Sequence, residues 1–503
     1  MSGYVPSAHR RQRILFPDVL DDYVTEENPV RFLDAFVDGL DLRGLGITHA
    51  EPNDMGRPPY DPAALLKLYL YGYLYSVRSS RKRERECHRN VELMWLLRKL
   101  TPDFKTIADF RKDNVDRFRP LFQRLVALGK ELGLLEGSLV AVDGSKFRAV
   151  NSKDRNFNRA KLADRRKSVE KSIDRYLREL DENDAKEADE PVFPSSVPNL
   201  KEKIERLKER QRRYRELLRR LEATGATEIS LTDPDSRLMK GNHDRMEVSY
   251  NAQIAVEAKS KLIVAYDVDH RASDHHQLAA MSSRAQEALD AEDLRVVADR
   301  GYYDGEQVHR CIEMGITPYV PEPEKARGAA ERGGIDPAFS RDKFVYDSVT
   351  DTIVCPAGNR MTPLPVVRKR WRQRPEGIAI RVFRTDRCHA CPHFMTRCTH
   401  NPSGRRIQRR ENEEFLDAMR TRVRADEGDR ILAMRKSVVE HPFGTIKRAF
   451  NEGYLLLRGL RKVTGELGLT MFAYDLRRLL SLVGTRGLVA HLSADRRVRA
   501  GIG

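Results

Sequence analysis

Three acidic residues have the type and setting needed to hold metal ions. Asp143 follows the strand-like run SLVAV, Asp299 follows the strand-like run LRVVA, and Glu440 stands in a helical segment seven residues before Lys447. Carboxylate oxygens are the hard ligands that Mg²⁺ prefers, and paired Mg²⁺ ions catalyse in-line displacement at phosphodiesters. We therefore expect the three side chains to converge on one site holding two Mg²⁺ (or Mn²⁺) ions, which would cut and join a nucleic acid.

The charge of the whole chain points to the same class of partner. Its 503 residues include 91 Lys and Arg against 75 Asp and Glu, a net charge of +16. Such an excess favours a polyanion, because neutralised phosphates release counterions. The N-terminus lacks the pattern of a secretory signal, and no apolar run approaches the length of a membrane span. We therefore predict a cytoplasmic protein that binds DNA and has no membrane partner.

The elements that must position the acids can be predicted from periodicity. Residues 138–143 and two segments after residue 247 alternate like strands, and helical and strand patterns then alternate up to residue 320. This order predicts an α/β fold with a mixed sheet flanked by helices, a catalytic domain spanning 131–485. We expect Asp143 to end its strand at Gly144, and the Glu440 helix to begin near Glu440 because Pro442 follows.

The flanking segments are predominantly helical. Residues 1–130 are predicted to form a helical DNA-binding domain, although a domain for dimerisation or packing would have the same pattern. There Asp61 and Thr106 are predicted helix N-caps. Heptads on either side of a Pro-rich break predict an antiparallel helical hairpin at 155–225, which could contact DNA, a second subunit or neither. The tail 486–503 is expected to be frayed.

An insert at 322–425 is rich in cysteine. One CxxC pair and two further cysteines could form a four-thiolate zinc site, with a histidine (His389, His393 or His400) able to replace one thiolate; unpaired, inert thiols are the alternative. The four cysteines are Cys355, Cys388, Cys391 and Cys398.

The same insert carries two basic runs. The first includes Arg370, Trp371 and Arg372, which we predict to face DNA phosphates, with a solvated basic loop as the alternative.

Several motifs together resemble one family. The stretches AVDGSK, VVADRGYYD and VVEHPFGTIKRAF, with FPDVLDDYV, GRPPYDPAALLKLYLYGYLY and FKTIADFRKDN nearer the N-terminus, resemble the DDE transposases of bacterial insertion sequences, in the branch numbered eleven-eighty-two. The resemblance spans nearly the whole chain. It implies an RNase H-like fold with Asp143 on the first strand, Asp299 after the fourth and Glu440 on a late helix.

The resemblance also implies an activity. Such a protein binds double-stranded DNA at terminal inverted repeats, frees a 3′-hydroxyl and directs it at target DNA. It would act as a homodimer in the bacterial cytoplasm, on the nucleoid. Lys447 would contact DNA near the cut. The Tyr of the related motif is missing before Glu440, so that part of the pattern is only partly kept.

We also expect the basic residues beside the acids to hold phosphates; they are Arg435, Arg300 and Lys146. Two other functions remain open. One is an RNase H-like nuclease that cuts without strand transfer, and the other is an inactive, zinc-containing DNA-binding protein.

Overall fold

A six-stranded mixed sheet forms the centre of the protein. The computed structural model describes residues 19–51, 58–187, 197–241, 245–323, 335–371, 374–450 and 453–499. The strands are β1 (Leu139–Arg148), β2 (Asn156–Asn158), β3 (Glu228–Ser230), β4 (Arg237–Lys240), β5 (Met246–Glu257), β6 (Ile263–Asp269), β7 (Arg295–Ala298), β8 (Thr317–Tyr319), β9 (Val345–Asp347), β10 (Thr352–Val354), β11 (Arg360–Pro363), β12 (Val367–Trp371), β13 (Arg374–Arg384) and β14 (Ile407–Arg410).

Helices surround this sheet and supply most of the remaining regular structure. They are α1 (Pro29–Asp38), α2 (Pro62–Leu74), α3 (Ser80–Cys87), α4 (Val91–Leu96), α5 (Phe104–Asp113), α6 (Phe118–Glu131), α7 (Arg159–Glu187), α8 (Val197–Thr224), α9 (Leu278–Leu289), α10 (Gly305–Glu313), α11 (Glu413–Val423), α12 (Asp426–Gly444), α13 (Leu460–Val483) and α14 (Thr485–Arg499).

The order of the central sheet is β4-β5-β1-β7-β8, with β6 also paired to β5. β1 runs antiparallel to β5 and parallel to β7, and β8 extends the parallel half. The predicted α/β class with a mixed sheet is confirmed. One detail was wrong: β1 does not end at Asp143 but continues to Arg148, because its pairing with β5 extends that far.

The N-terminal helices share one hydrophobic core with the sheet. Phe36 of α1 lies against Phe472 of α13, with ring centroids 5.6 Å apart, and Phe122 of α6 meets Tyr266 of β6 edge-on at 5.2 Å. Aromatic pairs at these separations add to the stabilisation from buried area. The helices are therefore packed on the central sheet rather than set apart from it.

The two predicted helix caps differ in outcome. Asp61 does cap α2, since its carboxylate accepts a hydrogen bond from Ala63 N at 2.8 Å. Thr106 does not cap α5. Asp103 does so, accepting from the backbone of Lys105 and Thr106, because a carboxylate three residues earlier satisfies the free N–H groups of the first turn.

The long helices α7 and α8 pack against each other, as the heptads predict. Near their base, Leu162, Leu217 and Leu221 bury a small core with Phe157 of β2. The Pro-rich break between the helices lies outside the described residues.

The cysteine-rich segment contains a second six-stranded sheet that the sequence did not lead us to expect. Its order is β12-β13-β11-β10-β9, with β14 paired to β13. Its small core consists of Ile353, Met361, Phe383 and Ile407. The strands are short and heavily charged, so their alternation is weak in the sequence.

Two expectations about the C-terminal part were wrong. α12 starts at Asp426, and Pro442 is buried inside its last turn, followed by a π turn at 445–449. Proline has no backbone N–H to donate. Its absence is tolerated there because the α-helical hydrogen bonds give way to the π turn directly after it. Residues 485–499 are helical and pack on α1, with Leu488 fully buried. No helix among the described residues could cross a membrane.

Candidate active site

Asp143 and Asp299 lie side by side because of the strand register. β1 and β7 are parallel, with Val142 opposite Ala298, so the next residue on each strand is one of the two acids. Neighbouring strands are about 4.8 Å apart. Asp299 also caps the following turn, accepting a hydrogen bond from Gly301 N at 2.7 Å. Two of the three predicted acids are thus adjacent at one point of the sheet.

The environment of Asp143 opposes its ionisation. Burial raises the pKa of its carboxyl to about 6, the guanidinium of Arg435 lowers it, and the neighbouring charge of Asp299 raises it again. Arg435 Nη1 stands 3.5 Å from Asp143 Oδ2. A buried carboxyl beside a second carboxyl is common where a cation or a proton is exchanged.

Three more of the predicted basic residues lie at or beside this pair. Lys447 Nζ donates hydrogen bonds to Ser145 Oγ at 2.5 Å and to the backbone oxygen of Lys146 at 3.0 Å. Burial and the charge of Lys146 lower the pKa of Lys447 to about 8. Burial likewise lowers the pKa of Lys146. Arg300 is exposed directly after Asp299.

Asp274 is a fourth carboxylate that the sequence analysis missed. It accepts hydrogen bonds from Asn251 Nδ2 and Gln253 Nε2, both at 2.6 Å, and lies 3.5 Å from Lys146 Nζ. Its charge raises the pKa of Asp143. No motif in the sequence marks it: Asp274 joins the site because β6 runs in the same direction as β1, so the loop after β6 emerges near Asp299.

Gly144 is required here by close approach rather than by a turn. A β-carbon at this position would lie 2.8 Å from Asp274 Oδ1 and 3.1 Å from Asn251 Oδ1. The backbone is extended and paired with Gln253, so the predicted sharp exit is wrong. The absent side chain is what lets Asp274 sit against β1.

Glu440 stands apart from the aspartate pair. Its side chain is 65% exposed, and its ion-pair partner is Lys436, at 3.8 Å. On an α-helix, five residues rotate the side chain by about 140°, so Glu440 and Arg435 leave α12 in different directions. In the described ranges, no group of three or more His, Cys, Asp or Glu residues is arranged to hold a metal ion as it stands.

The four cysteines are nevertheless brought together by the second sheet. They line one cavity of about 20 Å³. Asn359 N donates to Cys355 Sγ at 3.3 Å, and burial, with the other three thiols, raises the pKa of Cys398. The candidate replacements His389 and His393 pack against Phe394 and Phe339.

The predicted phosphate-binding run is only partly described. Arg370 and Trp371 belong to β12, which pairs with β13, but their side chains are outside the description. Arg372 lies outside the described residues.

Comparison with known families gives two matches. Residues 18–113 match a transposase domain (DUF772), and residues 354–480 match a transposase DDE domain. The second match contains Glu440, Lys447 and the cysteines, whereas Asp143 and Asp299 lie in neither. No protein of curated function and no solved structure gave a match. The two family matches support a DDE transposase.

Proposed function

We propose that this protein is a DNA transposase of the RNase H-like superfamily, in the insertion-sequence branch numbered eleven-eighty-two. It would bind the terminal inverted repeats of its element as a homodimer, on the nucleoid of a bacterial cytoplasm. It would then free a 3′-hydroxyl by metal-dependent cleavage and join it to target DNA. The observation that carries this proposal is the in-register pair Asp143 and Asp299, set among basic residues on a chain with two transposase-domain matches.

The strand arrangement supports the superfamily. A parallel β1–β7–β8 half joined to an antiparallel β1–β5–β6 half places the two aspartates at the same edge, as the resemblance implies. The helix α12, with Glu440, packs across this sheet against β1 and β7. The proposed catalytic set is therefore Asp143, Asp299 and Glu440.

The residues at the pair fit divalent cations. Asp143 and Asp299 present hard oxygen donors, and the burial that raises the pKa of Asp143 would be offset by a bound cation. Two Mg²⁺ ions bound there would activate the attacking oxygen and stabilise the leaving one. Glu440 would complete the ligand set through a movement of α12 that turns its exposed side chain toward the pair.

Basic side chains near the aspartate pair would hold the DNA. Arg435 and Lys447 are fixed on α12 and just after it, on the side of the helix that faces β1. We propose that they clamp phosphates next to the cut, with Lys146 and Arg300. A guanidinium can hold a phosphate by two parallel hydrogen bonds, whereas a lysine acts as a point charge.

We further propose structural zinc at the cysteines. Four thiols around one small cavity, one of them accepting a backbone N–H, form a donor set that suits tetrahedral Zn²⁺. The site would tie β10, the turn after β13 and the loop before β14 together.

The experiment uses purified protein, Mg²⁺ and DNA carrying the element's own ends. We expect nicking at the ends, followed by joining of the freed 3′-hydroxyl to a target plasmid. Both reactions should be lost in Asp143→Asn, Asp299→Asn and Glu440→Gln proteins that still bind the ends. Cleavage without joining would identify a nuclease, and metal-independent binding without cleavage an inactive DNA-binding protein.

A further inference from the structure

A large open groove lies away from the acids, at the base of the helical hairpin. Its volume is about 1300 Å³. This exceeds the roughly 300–1000 Å³ of typical small-molecule sites, which favours a polymer. Six of the charged residues that line it are basic: Arg148, Lys153, Arg155, Lys161, Arg245 and Arg458. We call these six residues and the cavity between them the basic groove.

The charge of the basic groove is one-sided. The two acidic residues that line its described part are Asp154 and Glu247. The side chains of Arg148, Arg155, Arg245 and Arg458 are exposed, so their charges reach solvent. A groove lined by one sign of charge concentrates counter-ions of the other, and a phosphate backbone is the polymer that fits.

The floor of the groove offers contacts for bases as well. Tyr454, Met246 and Leu456 line it, and their side chains are 40%, 50% and 37% exposed. Tyr454 is held in place, since its backbone oxygen accepts two hydrogen bonds from Arg78, which is itself buried against Glu466. Aromatic and apolar surface beside a cationic track is typical of proteins that bind single strands.

Three polar atoms at the groove have no partner in the part of the chain that is described. They are Asn151 Oδ1, Asn156 Oδ1 and Thr232 Oγ1. Asn156 is only 4% exposed, and its amide nitrogen already donates to Glu228 at 2.6 Å. Unsatisfied buried polar atoms are costly, and because these three are closed to solvent, a base could pair with them only if the groove wall moved.

The basic groove begins at the end of the strand that carries Asp143. Arg148 lies five residues beyond Asp143 on β1, about 16 Å along the strand. The segment with Tyr454 is clipped to the end of β1, because Leu455 N donates to Arg148 O at 2.8 Å. Side chains five residues apart on a strand point to opposite faces, so a DNA strand would pass around the end of β1 to run from the acids into this groove.

We propose that the basic groove binds a single-stranded stretch of DNA next to the cleavage point, with the arginines on its phosphates and Tyr454 stacked on a base. This rests on the proposed function only for the choice of DNA as the partner. The first turn of α7 contributes Lys161 to one side of the groove, so the base of the inserted hairpin would take part in this binding.

The test measures binding of the full-length protein to a fluorescent 20-nucleotide single strand and to the matching duplex, without divalent metal, so that no cleavage is needed. The groove variant is Arg245→Gln with Arg458→Gln. The control, Lys130→Gln with Lys259→Gln, removes the same charge; Lys259 lies just beyond the other end of β5. We expect about a tenfold loss of single-strand affinity and a salt slope reduced by about 1 for the groove variant alone.

A second pair of variants tests the stacking. Tyr454→Ala should lose about a further tenfold, whereas Tyr454→Phe should bind like the wild type. Equal effects of groove and control variants would overturn the proposal, and so would an equal loss for duplex and single strand. If binding follows the predicted pattern but end cleavage fails, the groove stands and the transposase assignment falls; the reverse result removes only the groove.

Discussion

At the scale of single residues, Asp143 is subject to opposing electrostatic effects: burial and Asp299 raise its pKa, and Arg435 lowers it. Its carboxyl is largely buried beside another carboxylate, and one guanidinium at 3.5 Å compensates only in part. In the metal-free protein, a buried carboxylate next to a second carboxylate lowers the stability of the fold. Destabilising charges of this kind are common at functional sites. The free energy of unfolding of the metal-free protein should therefore change when Asp143 is replaced.

Asp143→Asn should stabilise the metal-free protein. The folded pKa is raised to about 6, above the unfolded value, so above that pH the carboxylate costs more free energy in the native state than in the unfolded chain, whereas at low pH both states are protonated and the cost disappears. Urea unfolding at pH 7.5 should show a gain of about 1–3 kcal/mol, shrinking as the pH falls toward 4.5. A gain that does not depend on pH would contradict the charge explanation.

Gly144→Ala should destabilise the fold and displace Asp274. The new methyl group would meet Asp274 Oδ1 at 2.8 Å, and overpacking of this kind costs about 1–3 kcal/mol. The control is Gly444→Ala. No atom lies within 4 Å of a β-carbon placed at this position, and the backbone is helical, so this variant should gain a little stability. Comparable urea midpoints for the two variants would show that Gly144 is not in close contact.

Asp274→Asn should shift the pH dependence of cleavage. The Asp274 charge raises the pKa of Asp143, so its removal should move the acid limb of the rate profile to lower pH. The measurement is the initial rate of end nicking between pH 5 and 8. If the rate fell equally at every pH and the acid side of the profile did not shift, Asp274 would act only by positioning Lys146.

At the scale of elements, sequence patterns located strands and helices better than they located their ends. β7 pairs with both β1 and β8 and ends at Ala298, one residue before the predicted end, because Asp299 caps the turn that follows. β1 continues past Asp143, because its length is set by pairing with β5, 100 residues later in the chain. Pairing between distant segments cannot be derived from the periodicity of one of them.

The same limit explains the two larger surprises. Asp274 has no motif of its own and becomes part of the site only because β6 and β7 point the same way. The second sheet is built from short strands among charges, and its core has only Ile353, Met361, Phe383 and Ile407. Such elements depend on tertiary contacts more than on local propensity.

The small core of that sheet leads to a prediction about metal. The purified protein should contain one zinc per chain, measured by elemental analysis, and a strong chelator should unfold the segment locally. Limited proteolysis should then cut within residues 354–410, since zinc contributes folding free energy in small domains. Cys388→Ser should lose the zinc and be cut without chelator, whereas the buried Cys87→Ser, outside the cluster, should keep it. Metal-free protein with an intact segment would refute the site.

At the scale of the whole molecule, the chain joins its parts through one core. The N-terminal helices, the central sheet and α13 pack together, so DNA held by the helical half would be held in a fixed relation to the acids. The basic charge follows from the composition, and the sequence predicted the α/β class and the convergence of three acids, of which Asp143 and Asp299 lie together while Glu440 stands apart. It could not show the basic groove, since its residues come from β1, the loop after it, β4, β5 and the segment before α13.

The central claim is that Asp143 and Asp299 bind catalytic metal ions with help from Glu440. The most direct test is anomalous diffraction from crystals of the protein with Mn²⁺ and its end DNA. We predict manganese peaks within bonding distance of Asp143 and Asp299, one of them also touching a Glu440 oxygen, beside the bound phosphate. Manganese bound elsewhere, with the aspartate pair free of metal in the presence of DNA, would contradict the account.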